Sequence, residues 1–528
     1  MTPNMKNCVK IIGLLLCLLM VSCLKLSAGN EKTLVNLFHP PSDPRVKASP
    51  YYTVNVENQP VFVYDTHRQD KNSQELITGC PVSPLAFSIF DFQGKVQVKL
   101  QLKDGILQQD KTPVVRPLAT GIKPIVDGNT VTITLDKPGN YTFDPRGDGY
   151  CALHLFTNVP ETDIPDPNDP NVIYFGPGVH EIQNLDVKSN QTLYIAGGAI
   201  LLCKPKQVTG KYKRYGIELQ TMALPIKIVN AKNVTVRGRG IISCAGNIEE
   251  KRRVAPMRLR YLENFTLKDV VILEASTWNV NLQACQNVTI DNLRIVSFYI
   301  NSDGICPSTN CDNIRVTNCF VHNADDSLEI KAMDSFWGHM PEDAQTLFGP
   351  CTNILFENCI VWNDLATPMG ITHEIGMTID NATFRNITVI HHTSKTSNFK
   401  VRGQISIFPA GGGTVNNLNF ENITVESATA LHEQCISIDN THERWHGSIP
   451  PYHTNKPYSK IQNVTFRNIN INTQNPTVKI KNWSDTASDI DVRFENVTIN
   501  NQKLTQSSEL IRSQNANYQV LDYSSSNH

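Results

Sequence analysis

The sequence lacks an excess of charge of either sign. Its 48 basic and 49 acidic residues give a formal net charge of −1, and charged residues make up 18% of the chain. A nucleic-acid-binding protein would present a basic face, so this balance argues against that class. Hydrophobic residues reach 40%. Because that is enough apolar surface to form a large core, the composition also argues against disorder.

Long hydrophobic runs are absent beyond the amino terminus. There, Lys6 and Lys10 precede the apolar run Ile11 to Leu19. A basic segment followed by an apolar run too short to span a membrane predicts a targeting segment over residues 1–28. Two cleavage sites fit it, namely a lipobox-like Met20-Val21-Ser22-Cys23, which would place a lipid anchor on Cys23, and the small residues Ser27-Ala28-Gly29. Both predict an exported bacterial protein that is periplasmic, secreted or a cell-surface lipoprotein, with no membrane span.

Zinc-type cysteine spacing is also missing, since the chain has no CxxC pair and no Cys/His cluster. Fourteen cysteines in an exported protein would suggest disulfides. However, Cys285, Cys319 and Cys359 occupy apolar positions of a repeat, which favours buried free thiols. A bridge between Cys80 and Cys151 stays open as an alternative. No metal site and no cofactor are predicted.

The amino-terminal part of the chain shows short strands with period-two alternation. Tyr52 to Val56, Val96 to Leu100 and Thr130 to Leu135 alternate polar and apolar residues, with Gly- and Asn-containing turns between them. This pattern predicts an antiparallel β-sandwich over residues 29–160. The stretch Pro160 to Asn171 holds four prolines, which cannot continue a strand ladder, and predicts a linker at residues 161–171.

A repeat fills most of the remaining chain. Its pattern is Asn, apolar, any, apolar, any, Asn or Asp, apolar, any, apolar, and examples begin at Asn264, Asn287, Asn313 and Asn381. Intervals of about 23 to 46 residues between copies are typical of a solenoid with variable loops. A short strand cannot bury its face alone, so the copies must stack. The sequence therefore predicts an all-β protein in which residues 172–522 form a right-handed parallel β-helix.

Two features of the repeats carry further predictions. The recurring asparagines at the bends are expected to stack as an amide ladder that satisfies the backbone of neighbouring coils. The longest intervals carry insertions, Met333 to Pro350 and His432 to Tyr458, and both contain aromatic residues. Loops of a solenoid often wall a binding groove, so Trp337 in the first insertion is a candidate for binding a sugar ring.

Acidic residues concentrate in one coil. Asp303 lies about one repeat before the pair Asp325-Asp326. Stacked coils are about 4.8 Å apart, so three carboxylates would share one patch of surface. Their repulsion would raise the pKa of at least one of them. One protonated and one ionised carboxyl group are what glycosidic hydrolysis requires.

Short motifs around these acids resemble the polygalacturonase family of glycoside hydrolases. Asn301-Ser302-Asp303 is similar to that family's Asn-Thr-Asp motif, and Asp325-Asp326 to its Asp-Asp motif. His373 is retained from a Gly-His-Gly motif without its glycines, and Arg402 from an Arg-Ile-Lys motif without its lysine. A sandwich joined to a β-helix also resembles the dextranase and isopullulanase family, which acts on neutral α-glucans.

The resemblance implies roles for individual residues. It implies that Asp326 is the general acid and that Asp303 and Asp325 activate water, although coupled neighbours leave open which of the pair donates the proton. His373 is implied to orient the acid or a sugar hydroxyl. The candidate substrate-binding residues are Asn301, Lys331 and Arg402. Trp278, about one coil before Asp303, and Trp337 in the first insertion are candidates for binding a sugar ring.

These observations predict an exported inverting glycoside hydrolase that cleaves an α-linked polysaccharide or oligosaccharide, with either dextranase-like or polygalacturonase-like specificity. Two other functions stay open. A polysaccharide lyase would use calcium and a basic residue and would release unsaturated products. A glycan-binding protein would bind without releasing reducing ends. The expected partner is therefore a carbohydrate, and the sequence makes no prediction of oligomeric state.

Overall fold

The structure, a computed structural model, describes residues 33–40, 42–68, 83–205, 211–214, 217–220, 223–247, 252–393, 402–429, 434–443 and 449–521. The predicted targeting segment, with Cys23, lies outside these residues, and so does Cys80. Within the described ranges, no helix is long and apolar enough to cross a membrane.

Two sheets form the amino-terminal β-sandwich. One sheet has six strands: Leu34–Leu37, Tyr64–Arg68, Ser83–Gln93, Val114–Arg116, Asn140–Asp144 and Leu153–Asn158. The other has five: Tyr52–Val56, Gln59–Val61, Val96–Leu102, Ile125–Asp127 and Thr130–Leu135. The strands predicted from alternation are confirmed. One pairing differs from the antiparallel prediction, because Leu153–Asn158 runs parallel to Ser83–Gln93.

A parallel β-helix follows, built as one sheet of 30 strands that begins at Val172. Its strands stack in three rows, which we call the ladder row, the docking row and the site row. The ladder row consists of Val172–Phe175, Thr192–Ile195, Ile226–Gly238, Met257–Lys268, Gln286–Asp291, Cys311–Thr317, Cys351–Glu357, Ile379–Arg385, Thr414–Ala428, Lys460–Thr473, Ile490–Ile499 and Asn517–Leu521. The long strands of this row bend into the neighbouring rows.

The two other rows complete each coil. The docking row consists of Gly178–Ile182, Ala199–Cys203, Ile241–Ser243, Val271–Leu273, Arg294–Val296, Phe320–Asn323, Ile360–Asn363 and Thr388–His392. The site row consists of Leu185–Asp186, Val280–Gln283, Ile305–Thr309, Leu328–Ala332, Met369–Ile375, Ile405–Pro409, Ile436–Asp439, Val478–Lys481 and Ile511–Gln514. Outside the rows lie the strands Lys211–Arg214, Ile217–Gln220 and Gln502–Lys503, the α-helix Ala344–Leu347, and three 3-10 turns, Leu118–Thr120, Pro451–His453 and Ala487–Asp489.

Inward side chains stack on their equivalents in the next coil. Phe356, Phe384, Phe420 and Phe466 form a column with ring centroids 4.9 Å apart. The ten described cysteines are free and buried, which confirms the prediction of core thiols. Cys151 is among them, so the structure does not place it in a bridge. Stacking identical apolar groups at strand spacing fills the interior without voids.

Asparagine ladders run along the bends, as predicted. In one ladder, Asn358, Asn386, Asn422, Asn468 and Asn496 each donate from Nδ2 to Oδ1 of the asparagine one coil earlier, over 2.8 to 3.4 Å. Each adopts a left-handed backbone, with φ between 52° and 56°. The prediction that these amides satisfy the backbone of the neighbouring coil is wrong for this ladder, because each amide donates to a side-chain oxygen of the neighbouring asparagine. Asparagine suits the position because it tolerates left-handed φ and carries both a donor and an acceptor.

The sandwich packs against the docking row. Tyr64, Phe87 and Phe156 from its six-stranded sheet share an apolar cluster with Phe320 and Trp362 of the β-helix. The strand Ser83–Gln93 is therefore buried on both faces, since its alternate residues face the sandwich core. With the docking row covered by the sandwich, the site row lies on a different side of the coil.

Candidate active site

Asp303 and the Asp325-Asp326 pair lie in adjacent coils, as the spacing predicts. Ile305 pairs in parallel with Leu328, a register that sets Asp303 beside Asp326. The backbone N–H of Gly304 donates to the carbonyl of Asp326 over 2.8 Å. Gly304 has to be glycine here, because a Cβ would lie 2.2 Å from the Ser327 carbonyl oxygen. This close approach of backbones brings the carboxylates together.

Buried amides fix the turns that carry the acids. Asn323 Nδ2 donates to the carbonyl oxygens of Ser302 at 2.7 Å and Asp325 at 2.9 Å. Asn363 Nδ2, one coil later, donates to Ser327 Oγ at 2.8 Å. These bonds replace water on two carbonyl groups and one hydroxyl group that would otherwise be buried without partners. The turns are therefore held before any substrate binds.

Asp326 is surrounded by donors. Its Oδ1 accepts from the backbone N–H of Thr367 at 3.1 Å and from Arg402 Nη1 at 2.9 Å, and its Oδ2 accepts from Thr372 Oγ1 at 3.0 Å. Burial acts to raise its pKa, but Arg402, Lys331 and these hydrogen bonds outweigh burial and lower the pKa. Asp326 is therefore ionised at neutral pH.

Asp325 has a different environment, although it is the adjacent residue. Its Oδ2 accepts from the backbone N–H of Asn301 and its Oδ1 from that of Asp326, both over 2.9 Å. Arg402 lies farther away, at 3.7 Å. Burial and the neighbouring Asp326 charge raise the pKa of Asp325. Its side chain keeps 16% of its surface exposed, against 2% for Asp326, so it is the more accessible of the two.

Asp303 completes a cluster with a residue that the motifs did not indicate, Glu329. Single carboxylate oxygens of Asp303, Asp326 and Glu329 all lie within 4.8 Å of one another. Asp303 Oδ1 and Glu329 Oε1 are buried without hydrogen-bond partners. Burial, together with neighbouring carboxylates, raises the pKa of Asp303 well above its usual range and that of Glu329 to about 8. The cluster can therefore hold protons at neutral pH.

Lys331 supplies positive charge to this cluster. Its Nζ lies 3.4 Å from Glu329 Oε2 and 3.8 Å from Asp303 Oδ2, and it donates to Glu374 Oε2 over 2.9 Å. Oxygens of Asp303, Asp326 and Glu329 lie close enough to one another to be ligands of one metal ion. In this arrangement the lysine ammonium stands beside two of the same carboxylates and provides a cation from the chain itself.

Of the two tryptophans predicted to bind sugar, Trp278 contacts Lys331, and Trp337 contacts Glu374, the carboxylate partner of that lysine. Lys331 Nζ lies 4.6 Å from the ring centroid of Trp278, within cation–π range. Trp337 Nε1 donates to Glu374 Oε1 over 3.2 Å, and the Trp337 residue is 50% exposed. Burial opposes ionisation of Glu374, but Lys331 outweighs it and lowers the pKa to about 2. Glu374 thus connects the lysine to the exposed tryptophan.

His373 lies near the acids without a hydrogen bond. Only 7% of its surface is exposed, and both ring nitrogens are buried without partners. Its ring packs edge-on against Phe408, with centroids 4.6 Å apart. Burial lowers its pKa to about 3, so the imidazole is neutral at physiological pH. A neutral imidazole can donate one hydrogen bond and accept another.

The insertions meet beside this site. Lys456 of the second insertion forms an ion pair with Asp334 of the first. A Cβ at Gly338 would lie 3.1 Å from Cβ of Tyr452, so the two segments are in contact. Residues 444–448, with Trp445, lie outside the described residues. The described parts of the two insertions thus contact each other next to Trp337.

The structure brings together every residue predicted for the site: Asp303, Asp325, Asp326, His373, Asn301, Lys331, Arg402, Trp278 and Trp337. Asn301 takes part through its backbone N–H. Sequence reasoning missed Glu329, Thr372 and Glu374. Alternation in Leu328–Ala332 held a signal for one of them, because Leu328, Ile330 and Ala332 enter the core and so leave Glu329 on the same face as Lys331.

Comparison with known proteins gives the same family as the motifs. The model of glycosyl hydrolases family 28 matches residues 206–517. A polygalacturonase from Brassica napus is 23% identical over 238 residues, which cover 44% of this chain and 52% of that protein. The chain thus spans about half the length of this curated relative.

Two solved structures align with most of this chain. Dex49A from Penicillium minioluteum superposes with a TM-score of 0.55 at 14% identity, covering 92% of this chain and 96% of that one. A family 28 exopolygalacturonase from Yersinia enterocolitica gives 0.45 at 14% identity, covering 93% and 96%. At this identity, the likeness to Dex49A supports the fold alone. The model of glycosyl hydrolases family 28 matches more than half of the residues of this chain, and the chain therefore belongs to glycosyl hydrolase family 28.

Proposed function

We propose that the protein is an exported glycoside hydrolase that cleaves an α-linked polysaccharide or oligosaccharide with inversion of configuration. The observation that carries this proposal is that the adjacent carboxyl groups of Asp325 and Asp326 lie in environments that shift their pKa values in opposite directions. The pKa of Asp325 is raised and that of Asp326 is lowered, and Asp303 lies beside them. A protonated and an ionised carboxyl group in one site provide an acid and a base at the same pH.

Asp325 is the proton donor in this proposal. It has the raised pKa and the larger exposure, so it can hold a proton and reach the glycosidic oxygen. The motif resemblance alone favours Asp326 instead. Asp326 is a poor donor, because Arg402, Thr367 and Thr372 occupy its oxygens and favour the ionised form.

Asp326 activates the water as the base, and Asp303 helps to hold it. As the bond between the anomeric carbon and the glycosidic oxygen breaks, Asp325 gives its proton to that oxygen. A water molecule forms the new bond to the anomeric carbon from the opposite face and transfers its proton to Asp326. The product carries the inverted anomeric configuration, and one reducing end appears for each bond cleaved.

The test uses Asp325→Asn, Asp326→Asn and Asp303→Asn, assayed for reducing ends on a panel of polysaccharides. We expect kcat to fall at least about a thousandfold in each variant, with an unchanged circular dichroism spectrum. An activated aryl glycoside, which needs no acid, should restore turnover to Asp325→Asn alone. Wild-type turnover in Asp325→Asn, or a retained anomer by NMR, would contradict the mechanism.

The same assay separates the two alternatives. Ultraviolet-absorbing products that disappear with chelator would indicate a lyase. Binding of a polysaccharide without any new reducing ends would indicate a glycan-binding protein. Export rests on the leader pattern in residues 1–28, and mass spectrometry of the mature amino terminus distinguishes lipidation at Cys23 from cleavage near Ala28.

A further inference from the structure

The charge of Lys331 is compensated within the site by the ionised carboxylate of Glu374. Asp303, Glu329 and Glu374 surround its ammonium at 3.8, 3.4 and 2.9 Å, and the Trp278 ring covers it at 4.6 Å. Its side chain is only 4% exposed. A substrate carboxylate that approached this lysine would have to displace Glu374 or accept two acidic neighbours. The lysine therefore orders the site but offers little attraction to an anion.

Arg402 is compensated in the same way. Its Nη1 lies 2.9 Å from Asp326 and 3.7 Å from Asp325, and its side chain is 5% exposed. Two residues later stands Gln404, which is uncharged and buried, with its Nε2 at 3.3 Å from His392. Arg402 helps to keep Asp326 ionised, so the single positive charge of the guanidinium is already offset by that carboxylate.

The described part of the site contains five carboxyl groups and two cations. The carboxyl groups are Asp303, Asp325, Asp326, Glu329 and Glu374, and the cations are Lys331 and Arg402. If Asp303, Asp325 and Glu329 are all protonated, the net charge is zero. Any ionisation of these three makes it negative. A desolvated carboxylate on a sugar would therefore meet no unpaired cation among these groups, and burial of an unpaired charge is strongly unfavourable.

The groups left without partners suit hydroxyls instead. Both ring nitrogens of His373, Asp303 Oδ1 and Glu329 Oε1 are buried and make no hydrogen bond. Neutral imidazole and carboxyl groups donate to and accept from hydroxyls. Trp278 offers an aromatic face for the apolar side of a sugar ring. These groups recognise an uncharged sugar without needing a counter-charge.

We propose that the sugar at the scissile bond is uncharged, so that the substrate is a neutral glycan and not a polyuronate. This inference rests on the proposed hydrolase function and specifies its substrate class. Glu374 acts as a specificity-determining residue, because its carboxylate neutralises the lysine that could otherwise bind a uronate.

The test compares two pairs of polymers, and the members of each pair have the same linkages and differ only in oxidation at C6. Wild-type protein is assayed on pullulan against C6-oxidised pullulan, and on carboxyl-reduced homogalacturonan against homogalacturonan itself. We expect the neutral member of a cleaved pair to have a kcat/KM at least about tenfold higher. Faster cleavage of the acidic member overturns the neutral-substrate inference while the hydrolase function stands. Cleavage of no polymer overturns the proposed function and this inference with it.

A variant tests the cause of the preference. Glu374→Gln removes one carboxylate from Lys331 and keeps the side-chain shape. We expect it to reduce the neutral-over-acidic ratio of kcat/KM about tenfold, mainly through a lower KM for the acidic polymer. Glu357→Gln, which makes the same change beside Arg385 in the ladder row, should leave the ratio unchanged. A ratio unaltered in Glu374→Gln would overturn the assigned role of Glu374, whereas a merely structural role would lower kcat/KM for both polymers equally.

Discussion

The carboxyl groups of two adjacent residues have pKa values shifted in opposite directions in this site, because the chain turns between them. Asp325 is held by two backbone N–H groups, whereas Asp326 meets a guanidinium, a hydroxyl and a backbone N–H. The pKa of each group follows its partners and not its position in the Asp-Asp motif. Glu329 adds a further buried carboxyl group that shares Thr372 with Asp326, since Thr372 Oγ1 lies 2.6 Å from Glu329 Oε2.

Glu329→Gln tests whether Glu329 is protonated during catalysis. Its raised pKa of about 8 means that the wild type carries a neutral Glu329 at pH 7, and glutamine resembles that form. We expect near-wild-type kcat/KM at pH 7. Wild-type activity should fall as pH rises through about 8, because Glu329 then becomes charged beside Asp303 and Asp326, and the variant should keep its activity to higher pH.

The measurement is kcat/KM from pH 5 to 10, with thermal unfolding over the same range. The folded pKa lies above the ordinary value of 4.5, so Glu329 makes the wild type progressively less stable as pH rises from about 4.5 to about 8. The variant should lose this slope. An inactive variant at pH 7, or an unchanged alkaline limb, would show that Glu329 is not the titrating group.

At the scale of elements, the coil is specified by its bends as much as by its strands. Asn422 donates to Asn386 and accepts from Asn468, both over 3.0 Å, with φ of 54°. Left-handed backbone disfavours residues with a Cβ, and asparagine offsets part of that cost through its amide bonds. Each asparagine of the ladder therefore fixes the turn of its own coil and the register of the neighbouring coil.

Asn422→Ala should lower the free energy of unfolding by about 2 kcal/mol, from two lost amide bonds and a strained φ. Asn422→Gly removes the same bonds but accepts the left-handed φ, so we expect about half that loss. Equilibrium denaturation of both variants provides the measurement. If glycine proved as costly as alanine, the amide bonds alone would carry the effect, and backbone strain would not.

On the scale of the whole molecule, buried polar pairs join the sandwich to the β-helix. Asp144 of the sandwich accepts from His391 of the β-helix at 2.9 Å and from Arg116 at 3.2 Å. Arg116 in turn donates to Glu426 at 2.8 Å. Arg294, fully buried in the β-helix, donates to Asn140 at 2.8 Å. These groups lie next to the apolar cluster that the sandwich shares with the docking row. Separating the two parts would therefore expose apolar surface and break the buried polar pairs at the same time.

Acid stability should depend on Asp144. Burial opposes its ionisation, but His391 and Arg116 outweigh burial and lower the pKa to about 2, below the ordinary 3.8. The resulting stabilisation is present above pH 4 and is lost as pH falls from about 4 to about 2, by about 2 kcal/mol. We expect Asp144→Asn to be less stable at pH 7 and to show a flatter acid limb.

Denaturant unfolding from pH 2 to 7 measures this difference. The exposed Asp136 provides the matched control, since Asp136→Asn should follow the wild type at every pH. An acid limb in Asp144→Asn as steep as in the wild type would mean that other carboxylates determine acid unfolding.

The repeated pattern of asparagines and alternating apolar residues was enough to predict the parallel β-helix, because strand alternation and bend chemistry are local properties of the chain. It also placed Asp303 one coil from Asp325-Asp326, since only a short coil separates them. The contacts of Arg402 and Glu374 could not be predicted in this way, because their partners are far away in the sequence. Arg402 meets Asp326 across 76 residues, and Glu374 meets Lys331 across 43.

Coils of unequal length lie between these partners, and sequence spacing does not fix which side chains then align. Only the tertiary structure decided which charges meet, and hence that Asp326 is ionised and Lys331 is compensated. The sequence determined the scaffold and the three aspartates, because their geometry follows from one strand spacing. Protonation and the proposed substrate charge depend on contacts between residues 43 and 76 positions apart in the chain, and those contacts exist only once the coils have stacked.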